Sequence, residues 1–63
     1  MIYRPPYVLK RYEEALAAYE QVLRLDPNNA LAYNNKGYVL NKLNRKEEAQ
    51  QAYEKARQLG YSE

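Results

Sequence analysis

Glu13-Glu14 and Glu47-Glu48 are the two places in this sequence where acid–base chemistry could begin. Such chemistry needs two carboxyl groups converging on one substrate. Neighbouring residues on a helix point about 100° apart, so neither pair converges. The chain has no His and no Cys, and its one Ser is Ser62. No nucleophile–base pair can be assembled from these residues. No glycine-rich loop occurs, and no cluster has the composition of a metal site. The expectation is a protein that is not an enzyme, with no catalytic residue, cofactor, metal or small-molecule substrate. The acidic pairs read instead as solvated residues in the first turns of helices, where they complement the helix dipole.

The basic residues suggest a second chemistry. Lys36, Lys42, Arg45 and Lys46, with Lys10 and Arg11, could form an edge that reads RNA from helix side chains. The net charge is only +2, however, and acidic residues are interspersed with the basic ones. An RNA-binding helical repeat therefore ranks below the other readings. Pro5-Pro6-Tyr7 lacks the spacing of a PPxY ligand, and no PxxP is present. No apolar stretch approaches the ~18 residues of a membrane span. The first residues lack the apolar core of a signal peptide, so a reducing, cytoplasmic setting without a membrane partner is expected.

Sixty-three residues make one small domain. Without disulfides or a metal, a chain of this size depends on close helix packing or on association. All eight aromatic residues are Tyr. Tyr has an apolar ring and a polar tip, which suits half-buried positions between helices.

What organises the chain is an internal repeat. At an offset of 34, residues 9–25 align with 43–59, and nine of the 17 pairs are identical: Leu9/Leu43, Arg11/Arg45, Glu13/Glu47, Glu14/Glu48, Ala15/Ala49, Ala18/Ala52, Tyr19/Tyr53, Glu20/Glu54 and Leu25/Leu59. Residues 1–8 show no identity with 35–42. This period, with Ala49-x3-Tyr53, Ala56 and the junction Asp26-Pro27-Asn28-Asn29, resembles the tetratricopeptide repeat, a helix–turn–helix unit. Tyr33 stands where that pattern has Trp, Lys36-Gly37 where it has Leu-Gly, Leu40 where it has Tyr, and Tyr61 where it has Pro. About one and a half repeats are present.

The apolar periodicity supports the same elements. The predicted architecture is all-α: a three-helix antiparallel hairpin array, or truncated α-solenoid, forming a single module over 1–63. Helix 1 spans about 6–25, with apolar residues at 8, 12, 15, 16, 19, 22 and 23. Helix 2 spans about 29–43, with Leu31, Tyr33, Val39, Leu40 and Leu43 on its apolar face. Helix 3 spans about 46–59. Asp26-Pro27 stops helix 1, and Asn28 or Asn29 caps helix 2. Gly37 lets a neighbouring helix approach, Asn44 turns the chain, and Gly60 ends helix 3. Pro5 or Pro6 is expected to start helix 1, which would absorb the turn equivalent to Leu43-Asn44-Arg45.

Helices 1 and 3 occupy equivalent places in their units, and helix 2 is the one first helix. Leu16 and Leu23 become Gln50 and Arg57, so helix 3 reads as a solvent-facing end of the array. Helix 1 reads as the open end. Three or more repeats are the usual requirement for stability. We therefore expect helix 1 to drive homodimerisation through Val8, Tyr12, Leu16, Tyr19 and Leu23. The resemblance also implies binding of an unknown protein or peptide on the first helix, with candidates Leu31, Asn34, Asn35, Tyr38, Asn41 and Lys42. Some family members clamp a terminal carboxylate, and Asn35 matches one residue of that clamp. Its other residues lie on helices that this sequence lacks, so the activity is not expected. The function indicated is a non-catalytic protein-interaction or self-association module. The alternative is a minimal structural or engineered building block whose one activity is assembly.

Overall fold

Three helices follow one another: α1 (Pro6–Leu25), α2 (Ala30–Lys42) and α3 (Lys46–Gln58). The computed structural model describes residues 6–62, with side chains from Val8 onward. Pro suits the opening of α1, because its missing N–H falls among the donors that a helix start leaves unpaired. The alternative start at Pro5 lies outside the described residues.

Residues 8–11 are helical. The equivalent segment between α2 and α3 is a turn, and the comparison shows why. Asn44 has φ 62° there, a left-handed angle that Asn tolerates. Lys10 stands at the matching position in α1 and offers no such tolerance.

The connections are set by local chemistry. Asp26 N–H donates to the Val22 carbonyl at 2.7 Å and closes α1. Of the two Asn that could cap α2, it is Asn29 that does so, its side chain accepting from Ala32 N–H at 2.9 Å. At the end of α2, Arg45 N–H reaches the Leu40 carbonyl at 2.9 Å and Asn44 N–H the Asn41 carbonyl at 3.0 Å. This paired closure satisfies carbonyls that the helix end would otherwise orphan. The same arrangement recurs after α3, with Tyr61 N–H on Ala56 at 2.9 Å and Gly60 N–H on Arg57 at 3.0 Å. Asn29, Leu43 and Leu59 are caps rather than helical residues, so the helices are shorter at those ends than periodicity suggests.

α2 lies between α1 and α3. Leu16, Val39, Leu40, Ala49 and Ala52 form the buried cluster, with Tyr12, Ala15, Tyr19, Leu43 and Tyr53 packed against it. Leu31, assigned from periodicity to the apolar face of α2, is instead 57% exposed. Its direction differs from that of Val39 and Leu40 by enough to leave the core on the other side of the helix.

Gly37 sits where α3 crosses α2. A Cβ added to it would lie 2.8 Å from Tyr53 Cε1, 2.9 Å from Tyr53 Cδ1 and 3.1 Å from the Ala49 carbonyl oxygen. Two of these are below any ordinary contact, and the third belongs to backbone. Gly37→Ala should gain up to about 1 kcal/mol of helix propensity yet lose about 1–3 kcal/mol to overpacking. The expected outcome in thermal or urea unfolding is net destabilisation, and a stabilised variant would refute the close crossing.

Candidate functional site

The outer face of α2 carries the sequence-predicted binding residues. Leu31, Tyr38 and Asn41 are exposed, and Asn34, Asn35 and Lys42 are half-buried. The Lys42 ammonium lies 5.2 Å from the centroid of the Tyr38 ring, within cation–π range.

Three of the six residues join a cleft that runs between α2 and α3. Asn34 and Tyr38 line its main part, about 710 Å³, together with Gln50, Tyr53, Arg57, Tyr61 and Ser62. Asn41 lines an adjoining hollow with Lys46, Gln50 and Tyr53. Leu31, Asn35 and Lys42 line neither. The α3 side of the cleft was not foreseen from the sequence, although the 34-residue offset held the signal. Tyr12, Leu16, Tyr19 and Leu23 of α1 map onto Lys46, Gln50, Tyr53 and Arg57 of α3. All four of the latter line the two hollows.

On α1 those residues are not an open stripe. Leu16 is 7% exposed, in the core. Tyr12 and Tyr19 pack against the same core, and Val8 and Leu23 are half-buried. The expected dimer face Val8, Tyr12, Leu16, Tyr19 and Leu23 is therefore the face with which α1 receives α2. The uncovered side of α1 is about a quarter-turn away. There Ala18 and Val22 are exposed, whereas the equivalent Ala52 and Ala56 are 5% and 0% exposed because α2 covers them. Among the described residues no helix covers that side of α1.

A charged line crosses the three helices on another side. Lys36 Nζ lies 3.7 Å from Glu20 Oε2, joining α2 to α1. Arg45 donates through Nε and Nη2 to the two oxygens of Glu48 at 2.6 and 2.7 Å. That bidentate hydrogen bond holds Glu48 below the usual carboxylate range, helped by the charges of Arg45 and Lys36. Lys36 replaces an apolar residue of the repeat pattern, and its acidic neighbours on two helices account for the exchange. Among the described residues no group of His, Cys, Asp and Glu could hold a metal ion, and no helix is long and apolar enough to cross a membrane.

The arrangement of α1, turn and α2 over residues 7–44 matches the family model of the TPR repeat. A second model, the tetratricopeptide repeat, matches residues 30–59, which hold α2 and α3. The chain belongs to the tetratricopeptide-repeat family. Tetratricopeptide repeats serve as protein-interaction modules. The match over 30–59 makes α2 the first helix and α3 the second helix of one unit, and the 34-residue offset makes α1 a second helix as well. The chain is also similar to a peroxisomal targeting signal receptor of Saccharomyces cerevisiae, with 40% identity over 53 residues. That match covers 84% of this chain and 9% of the receptor, so the chain spans less than a tenth of its relative. No solved structure matches the chain.

Because Leu16 is core, Leu16→Ala should cost about 2–5 kcal/mol. Urea denaturation of the variant should show a large loss of stability at every protein concentration. A loss confined to low concentration would return Leu16 to an interface.

Proposed function

We propose that this tetratricopeptide-repeat chain is a non-catalytic interaction module that takes a protein segment in the cleft between α2 and α3. The convergence of Asn34 and Tyr38 from one helix with Gln50, Tyr53 and Arg57 from the other supports this reading. Amide side chains donate and accept hydrogen bonds from peptide groups. The Tyr rings add flat apolar area with a polar edge. Nothing in the cleft is a nucleophile paired with a base, so binding is the chemistry it suits. Peptide selection against the folded chain, followed by titration, tests it. Tyr38→Ala should weaken binding about tenfold or more, as loss of a central aromatic anchor does, with little change in unfolding temperature. Equal binding by the variant would overturn the assignment.

Self-association through α1 is the second reading, favoured by one observation. Val22 is 39% and Leu25 79% exposed, beside the exposed Ala18, on a side whose counterpart in α3 is covered. Two α1 helices packed across a two-fold axis would bury both. Ala18→Glu should then shift a dimer to monomer in light scattering while leaving the α1–α2 packing intact. A folded monomer already present at high concentration would remove this reading.

A further inference from the structure

The α3 wall of the cleft is, by the 34-residue offset, a copy of the surface on which α2 is seated. α1 receives α2 through Tyr12, Ala15, Leu16 and Tyr19, with Leu23 half-buried at the end of the same stripe. α3 presents Lys46, Gln50, Tyr53 and Arg57 at the positions of Tyr12, Leu16, Tyr19 and Leu23, while Ala49, the counterpart of Ala15, lies buried beneath α2. The shape of a helix seat is thus kept while its chemistry is changed. Tyr53 preserves the central aromatic. The middle leucine has become an amide, and the two ends have become cations.

We infer that the cleft is a seat for an acidic amphipathic helix of a partner protein. The inference rests on the interaction reading above and names the class of ligand. Three observations carry it. The seat is the repeat equivalent of one that a helix already fills, so its dimensions suit a helix. Its ends carry Lys46 and Arg57, 11 residues apart, which is about 17 Å or three turns along α3. Among the described residues, no carboxylate lines either hollow.

The nearest acids lie outside the cleft: Glu47 and Glu54 line a neighbouring hollow on α3 that meets it at Gln50. Arg57 also pairs with Glu54, but that pair is exposed and such pairs are easily re-aimed. A second copy of this chain docked through the same cleft would set Lys46 and Arg57 against their own counterparts, which charge repulsion opposes. The occupant therefore carries acidic residues near both ends of about three helical turns. Between them it offers apolar residues to Tyr53 and Tyr38, and polar side chains to Gln50 and Asn34. Its position differs from that of a peptide lying on α2 alone, because half of its contacts are with α3.

The test is a display library of helical peptides about four turns long, randomised on one face, selected on the immobilised chain. Selected peptides are then titrated against the wild type and against the double variants K46E/R57E and K46Q/R57Q. Each variant is checked for unchanged helicity and unfolding temperature. The expected result is enrichment of Asp or Glu at two positions about three turns apart. Affinity should fall about tenfold or more in K46E/R57E and less in K46Q/R57Q, and should weaken with salt. Neutral or basic binders, or acidic binders indifferent to both variants, would overturn the acidic-helix assignment while leaving the interaction reading in place. No binder above background would overturn both. Selected peptides that weaken with Leu31→Ala rather than with the α3 variants would place the ligand on α2 alone and also overturn it.

Discussion

Where α3 crosses α2, the ring of Tyr53 and the Ala49 carbonyl, both from α3, lie against Gly37. The rest of the structure depends on this approach. α3 brings no large aliphatic side chain to the core: its buried residues are Ala49, Ala52 and Ala56. Small residues give little apolar area each, so the helices must come close for dispersion contacts to accumulate. A single methyl on α2 would hold them apart. Gly37 costs helix propensity in exchange for that proximity, and Tyr53 closes the gap that it opens. α2 is then fixed between its neighbours, with Leu40 1% exposed and Leu16 completing the core from the α1 side.

The two second helices show how one sequence pattern yields two surfaces. α1 and α3 share nine of 17 aligned residues, yet each is covered on the side that the other leaves open. α3 is sealed along Ala49, Ala52 and Ala56 and exposed along Lys46, Gln50 and Arg57, with Tyr53 half-buried between the two faces. α1 is sealed along Tyr12, Leu16 and Tyr19 and bare along Ala18 and Val22. The substitutions follow that coverage on the α3 side, where the bare face has exchanged Leu for Gln and Arg. On the α1 side the bare face has stayed small and apolar. The first pattern suits solvent or a charged partner, and the second suits a dry helix contact.

Charge sets register more than it sets stability here. The Glu20–Lys36 contact and the Arg45–Glu48 pair are exposed or half-exposed, and such pairs contribute little individually. Their value is directional. Lys36 bridges toward acids on both flanking helices, which favours one rotation of α2 between them over its neighbours.

The sequence by itself determined the elements and their order. Its period, its small residues and the Asp26-Pro27 junction specify three helices with short turns. Asn44 and Gly60 mark where left-handed angles end two of them, and Lys10, in the place of Asn, marks where a turn gave way to a longer helix. These features are local, governed by backbone angles and capping within a few residues. Half of the cleft was legible in the same way, because Asn34, Tyr38 and Asn41 repeat at helical spacing. What the sequence left open is which side of α1 meets α2. Leu16 and Val22 both belong to an apolar stripe, and an i, i+3, i+4 pattern fixes the width of a stripe but not the direction from which a neighbour arrives. Tertiary structure decided that Leu16 is core and Val22 is surface, because α2 packs on one flank of a stripe wide enough for two helices. It also decided that Gln50, Tyr53 and Arg57 face Asn34 and Tyr38 across a cleft. Residues on different helices converge only through the crossing at Gly37, which no single helix's pattern contains.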